Sequence, residues 1–285
     1  MAALILIRGG GDLASGIALR LYRSNFKVLI SELPQPLAVR RSVSFAEAVY
    51  SGQIEIEGVT GRLVERQQVA GTLQAGQIPV MVDPHADILT DPNFTGSNAR
   101  YPVEILVDAR LTKHPPESLP GPVRLRIGIG PGFEAGKNCD AVIETRRSHT
   151  LGRVYWQGST QADSGLPEGD ARRVLRAPVD GILEAFTEIG NHVEPGEIVA
   201  EIRPDPDSAQ TQGRSPTKVL APFGGILRGL IHPGIPVHAG LKIGDVDARD
   251  DPTACRLVSD KALAVGGGVL EAILARDESR ASLWK

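Results

Sequence analysis

Residues 177–202 align with residues 221–246 at a constant offset of 44, without a gap. Eight of the 26 paired positions are identical: Ala177/Ala221, Pro178/Pro222, Gly181/Gly225, Ile182/Ile226, Leu183/Leu227, Gly190/Gly234, Val193/Val237 and Gly196/Gly240. Unrelated segments of average composition would share about two. Glu201/Asp245 and Ile202/Val246 are conservative pairs besides. Each copy reads as Ala-Pro, a glycine turn, a strand, then Gly-x-x-Val-x-x-Gly and a closing apolar strand. Proline ends a strand, and glycine admits the positive φ that tight hairpin turns require. The repeat therefore constrains this stretch to a pseudo-symmetric all-β module.

The pattern resembles the two halves of biotinyl and lipoyl carrier domains, which implies a barrel-sandwich hybrid. In those carriers a lysine between the halves, usually flanked by methionines, bears the prosthetic group. Here the connection 203–218 holds no Met-Lys-Met, and its lysine, Lys218, stands beside the second copy, which opens at Ala221. Covalent biotin or lipoate is therefore not expected, and the module is read as structural or docking, because fold alone does not carry function.

The first half has a different texture, and 285 residues suffice for two domains. Runs rich in Val, Ile and Leu at 4–8, 27–31, 78–83, 103–108, 123–129 and 141–145 read as strands, several apolar enough for a sheet covered on both faces. Amphipathic stretches at 13–24, 37–51 and 65–75 read as helices between them, and this alternation argues for an open α/β sheet. Residues 53–64 alternate apolar and charged, as an inserted hairpin would. The Gly/Ser-rich stretch 158–170 reads as a linker or surface loop. Helical character returns over 257–276, with Ser259 or Asp260 as N-cap and Gly266, Gly267 and Gly268 as an interruption. The expected architecture is a Rossmann-like, mostly parallel α/β sheet domain over 1–170, an all-β barrel-sandwich hybrid (biotinyl/lipoyl-like) over 171–250, and a C-terminal helical segment over 251–285.

The sharpest local motif is the turn after the first strand. Gly9, Gly11 and Ala14 satisfy G-x-G-x-x-A, with Gly10, Asp12 and Ser15 between and after them. In such a turn the first glycine bends the chain, the second lets backbone amides approach a pyrophosphate, and the alanine permits close helix–sheet packing. The helix N-terminus adds partial positive charge. Glu32, at the end of the next strand, stands where an acid bonds a ribose hydroxyl. The plainer reading is a tight strand–helix connection capped by Asp12 or Ser15. Ligands of open α/β sheets gather at the carboxyl ends of the strands. Those ends carry Asp83 and His85, Asp108 and Arg110, Gly130 and Gly132, and then Glu144, Arg147 and His149. Together they point to a site for an anionic small molecule, with a nucleotide (NAD-like) or a molybdopterin nucleotide as candidate cofactors.

Other function classes recede. A net charge of −3, with no basic run interleaved with aromatics, gives no attraction to nucleic acid or anionic lipid. The opening apolar run is short, lacks a preceding basic segment and meets a glycine cluster, so it reads as a strand rather than a signal sequence. Two distant cysteines, Cys139 and Cys255, fit a reducing cytoplasm rather than a disulfide framework. No recognised metal spacing, Gly-x-Ser-x-Gly elbow or catalytic residue can be assigned. Homo-oligomerisation stays open.

Several ordered segments together resemble the selenium-dependent molybdenum hydroxylase system proteins. They begin with Ile7-Arg8-Gly9-Gly10-Gly11-Asp12-Leu13-Ala14-Ser15-Gly16 and include Ser44-Phe45-Ala46-Glu47-Ala48-Val49-Tyr50 and Gly130-Pro131-Gly132-Phe133. His149-Thr150-Leu151-Gly152-Arg153-Val154 and Gly240-Leu241-Lys242-Ile243-Gly244-Asp245 extend the likeness over nearly the whole chain. The resemblance implies an accessory or maturation protein for a molybdenum hydroxylase, with the apoenzyme as partner. It transfers no catalytic residue. The alternatives are an NAD(P)-dependent oxidoreductase and a non-enzymatic scaffold or carrier acting through the barrel.

Overall fold

Strand β1 (Leu4–Arg8) is buried along its whole length, as an aliphatic run without polar alternation requires. The computed structural model to which it belongs describes residues 4–95, 99–165, 170–207 and 215–276. Parts of the linker read over 158–170 and of the connection 203–218, namely 166–169 and 208–214, lie outside the described residues. Two compact units divide the chain: Met1–Pro36 with Ser44–Ser164 and Val258–Lys285, and Leu37–Val43 with Gly165–Leu257.

In the first unit β1 is followed by α1 (Asp12–Arg23), β2 (Lys27–Glu32), α2 (Ala48–Ser51), the hairpin β3 (Gln53–Ile56) and β4 (Val59–Leu63), α3 (Val69–Gln74) and β5 (Ile78–Val82). Then come β6 (Val103–Asp108), β7 (Leu125–Ile129), β8 (Glu134–Ala135), β9 (Ala141–Ile143), β10 (Val154–Tyr155), β11 (Gly158–Ser159) and, last, α4 (Asp260–Ala275). Nine strands form one sheet in the order β10-β9-β7-β6-β1-β2-β5-β4-β3. The interior ladders are parallel, while β10 on β9 and β3 on β4 run antiparallel at the two edges. Leu4, Leu6 and Leu29 face a cluster with Val69 and Leu73 of α3 and with Ile88, Leu89 and Phe94. Ile5, Ile7 and Ile30 alternate to the other side and are equally buried.

Helix α1 starts at Gly11 in extended conformation, carries Asp12 in its first turn and Arg20 and Arg23 in its last, and so complements its own dipole. Its partner is α4, capped by the Ser259 side chain, which accepts the Ala262 amide at 3.1 Å. The glycines Gly266–Gly268 do not interrupt α4, contrary to expectation. A Cβ on Gly16 would stand 2.6 Å from the Cβ of Ala262, and one on Gly266 would stand 2.9 Å from the Gly16 carbonyl. Close helix–helix approach thus offsets the cost of about 1 kcal/mol that each glycine carries in a helix.

The helix expected over 37–51 is replaced by two single turns, Arg41–Val43 and Phe45–Glu47, and the short α2. Ser44 is extended, φ −127 and ψ 116, between residues 37–43, which belong to the second unit, and the rest, which belong to the first. Apolar residues spaced for one helix face therefore serve two cores.

The second unit contains β12 (Val174–Arg176), β13 (Gly181–Ala185), β14 (His192–Val193), β15 (Ile198–Arg203), β16 (Thr217–Leu220), β17 (Gly225–Leu230), β18 (Pro236–Val237) and β19 (Lys242–Asp247). They pair as two four-stranded sheets, β12-β19-β17-β14 and β16-β15-β13-β18. Matched positions of the repeat share one core: Leu183 and Leu227, Val193 and Val237, Val199 and Ile243, Ile202 and Val246 are all buried in it. The tight turns at Gly190/Gly234 and Gly196/Gly240 all take positive φ.

The expected fold class needs correction on both counts. The large sheet is mixed, and the described parts of the crossovers from β5 to β6 and from β6 to β7 hold no α-helix, so the unit is an α/β fold with a large mixed sheet and not a doubly wound Rossmann-like one. The repeat gives two separate sheets with no ladder between them, so no biotinyl/lipoyl-like barrel closes among the described residues. No helix among the described residues is long and apolar enough to cross a membrane.

Candidate functional site

The strand order turns around β1, with β2 on one side and β6 on the other, and the crevice outside their carboxyl ends is where such sheets hold ligands. The register brings Arg8 level with Ser31 of β2 and with Asp108 of β6. Gly9 follows with φ +89, and a Cβ there would stand 3.5 Å from the Ala109 carbonyl, so the two turns touch.

Most of the glycine turn is committed to the fold. The Gly10 amide donates to Glu32 Oε2 at 2.6 Å, and its carbonyl accepts the Ala46 amide at 2.8 Å and the Ser15 hydroxyl at 3.2 Å. Ser15 Oγ in turn accepts the Phe45 amide at 2.8 Å, and Ala14 is buried. A Cβ on Gly10 would stand 2.8 Å from the Ala46 nitrogen, whereas Gly11 faces open space. Glu32 also accepts the Leu33 amide at 2.7 Å; burial pushes its carboxyl pKa above the ordinary range, against the downward pull of Leu33 and Gly10. Gly9, Gly11 and Asp12 therefore form the accessible lip of the turn, and Gly10, Ala14, Ser15 and Glu32 its frame.

Across that lip stands a four-residue charge network. Arg8 is 1% exposed, yet its Nη1 donates to Glu117 Oε1 at 2.9 Å and its Nη2 to the Pro84 carbonyl at 2.9 Å. Arg110 grips Asp108 through Nε at 2.9 Å and Nη2 at 2.6 Å, and reaches Glu117 through Nη1 at 3.0 Å and Nη2 at 3.1 Å. Burial alone would lower the Arg110 pKa, but bonds to Asp108 and Glu117 outweigh it and hold it above the ordinary arginine value. Against the upward pull of burial, Arg110, the chain's own amide and Arg8 bring the Glu117 carboxyl down to about 2. Asp108 and Glu117 also line a cavity of about 530 Å³ with Leu106, Arg126, Phe133 and Asp140. Cys139 lies in its wall, and burial pushes the thiol up to about 11, so it is a poor nucleophile.

The remaining strand-end residues do different work. Asp83 is buried and caps a turn, accepting the Asp87 amide at 2.9 Å and the Ile88 amide at 3.1 Å. Gly130 and Gly132 take positive φ, Gly130 against Thr145 and Gly132 against the backbone of His114. Glu144 is fully buried under the amides of Thr145, Arg146 and Gln161. Arg147 forms a bidentate pair with Asp260 at the start of α4. His85 and His149 are exposed. Among the described residues no group of three or more His, Cys, Asp or Glu stands ready to hold a metal ion.

Sequence reasoning overlooked Arg8 and Glu117. Arg8 carried a signal: it ends an otherwise aliphatic strand, level with Asp108. Glu117 sits in a loop with no periodicity to read.

No family model matches the chain. It is 41% identical over 276 residues to the uncharacterized protein YqeB of Escherichia coli (strain K12), an alignment covering 95% of this chain and 47% of YqeB. The chain thus spans about half the length of that curated relative. Among solved structures, a succinylglutamatedesuccinylase/aspartoacylase from Rhodobacter sphaeroides is 16% identical, with 88% of this chain and 87% of that one covered, at a TM-score of 0.28. An aspartoacylase family protein from Mesorhizobium loti is 9% identical, covering 86% and 84%, at a TM-score of 0.27. Scores this low carry neither fold nor activity across. The curated relative is an uncharacterized protein and lends no support to the selenium-dependent molybdenum hydroxylase resemblance, which is therefore withdrawn. The maturation role, the oxidoreductase and carrier alternatives, and the associated molybdenum and selenium chemistry are set aside with it.

Proposed function

We propose that this chain binds a small molecule bearing a carboxylate or phosphate, at the rim where the β1 and β6 turns meet. The observation that supports this reading is the convergence of two guanidinium groups, Arg8 and Arg110, at the carboxyl ends of adjacent central strands. Charged side chains in such a crevice are costly to bury, and Arg8 is almost wholly buried there. Gly9, Gly11 and Asp12 form the opposite lip, with the α1 N-terminus behind them. Gly10, Ala14, Ser15 and Glu32 hold that lip in shape, and Asp83, Gly130 and Gly132 shape the neighbouring turns. Asp108 orients Arg110.

The test is thermal unfolding and calorimetric titration at low salt with succinate, inorganic phosphate and pyrophosphate. At least one should raise the midpoint, since ligand at 100 times its Kd stabilises by about 2.7 kcal/mol. Arg110→Gln should weaken that binding at least tenfold. Equal binding by wild type and Arg110→Gln, or no binding of any of the three at millimolar concentration, would refute the reading.

A further inference from the structure

The Glu117 carboxylate has the geometry of a bound ligand. Three N–H groups converge on it: Nη1 and Nη2 of Arg110, which take one oxygen each, and Nη1 of Arg8. Arg110 thereby offers two separate forks. Its Nε–Nη2 edge holds Asp108, whose side chain is 7% exposed, and its Nη1–Nη2 end holds Glu117, whose side chain is 54% exposed. The first fork is an anchor; the second is planar, pre-oriented and filled by a residue that solvent can reach. Two-oxygen planar recognition of this kind suits carboxylate, and it is the reason arginine rather than lysine serves at such places.

We infer that Glu117 is a tethered occupant of a carboxylate site formed by Arg8 and Arg110, and that a ligand carboxylate binds by displacing it. The inference rests on the rim reading above and narrows it to a carboxylate. Displacement is an exchange of like for like: one carboxylate leaves the fork as another enters, so the charge of the buried network is unchanged. Glu117 also lines the 530 Å³ cavity, so its departure frees room beside the fork for the body of the ligand. A tethered competitor acts at an effective concentration in the millimolar range, which sets the handicap a free ligand must overcome.

Removing the competitor should therefore strengthen binding. Calorimetric titration of the full chain with succinate should give Glu117→Gln at least tenfold higher affinity than wild type, and Arg110→Gln no measurable binding. Equal affinity in wild type and Glu117→Gln, with loss in Arg110→Gln, would overturn the displacement and leave the rim site standing. No succinate binding in any of the three would overturn the carboxylate site, and the rim reading falls with it only where phosphate and pyrophosphate also fail to bind. As a check independent of any variant, the side-chain carboxyl carbon resonance of Glu117 in the wild-type protein should move on saturation with succinate; a resonance that stays fixed while succinate binds would also overturn the displacement.

Discussion

The Glu32 carboxylate accepts the Gly10 amide at 2.6 Å, across the ends of two adjacent strands. The amide that a glycine fingerprint offers to a phosphate is here satisfied from within the fold. An incoming anion must therefore find its donors further out, at Gly11 and along the β6 turn.

That contact has a measurable pH signature. Burial raises the folded pKa of Glu32 above its ordinary value of 4.5, so the folded state holds the proton over an interval in which the unfolded chain has lost it. Stability is then highest below that interval and falls as pH rises through it. Urea midpoints of wild type and Glu32→Gln, measured from pH 4 upward, should shift relative to each other across the interval, wild type losing ground. A difference between the two that is flat with pH would contradict this.

Glu117 should behave in the opposite sense. Its folded pKa is depressed from 4.5 to about 2, so its pairing with Arg110 and Arg8 contributes fully above 4.5 and is lost as pH falls toward 2. Because the side chain is half exposed, solvent screening limits the effect to about 1 kcal/mol. Unfolding free energies of wild type and Glu117→Gln should differ by that amount at pH 7 and converge near pH 2.

Arg8 is the member of the network that the fold cannot spare. Replacing it with leucine keeps the volume but leaves the Pro84 carbonyl and part of the Asp108–Glu117 charge without a partner. Asp108 and Glu117 keep Arg110, so the main cost is a buried acceptor left unsatisfied, about 1–3 kcal/mol, and chemical denaturation of Arg8→Leu should show a loss of that size. A loss below about 1 kcal/mol, the level of an exposed pair, would mean that the network is only a surface feature.

What the sequence made legible follows from how each feature is encoded. Strand β1 and the duplicated strands are written in local patterns, an aliphatic run and an offset of identities, and patterns of that range survive folding unchanged. The segment 37–51 misled because Val39, Val43 and Ala46 obey one helical spacing, yet the first two belong to one unit and Ala46 to the other. At the candidate site, Asp108 and Arg110 were visible as a charged strand end. Their tie to Glu117 was not, because the loop that carries it obeys no periodicity and its partner Arg8 lies 109 residues away. The sequence places Glu32 at a strand end but does not show its partners, the Gly10 and Leu33 amides; only the fold shows which of several donors a carboxylate takes.

The three glycines of α4 show the same limit at the scale of single atoms, and they make the last prediction. Sequence treats Gly266 and Gly267 alike, as helix breakers. A Cβ on Gly266 would come within 2.9 Å of the Gly16 carbonyl and 3.2 Å of Ile17 Cα, both backbone atoms that cannot step aside. A Cβ on Gly267 would meet nothing within 4 Å. Alanine at 267 should therefore stabilise the protein by about 0.4–1 kcal/mol, through the lost freedom of the unfolded chain and better helix propensity. Alanine at 266 should destabilise it by about 1–3 kcal/mol, by forcing α1 and α4 apart. Thermal midpoints of the two variants should thus move in opposite directions from wild type. Shifts of the same sign would mean that α1 and α4 do not meet through Gly16 and Gly266.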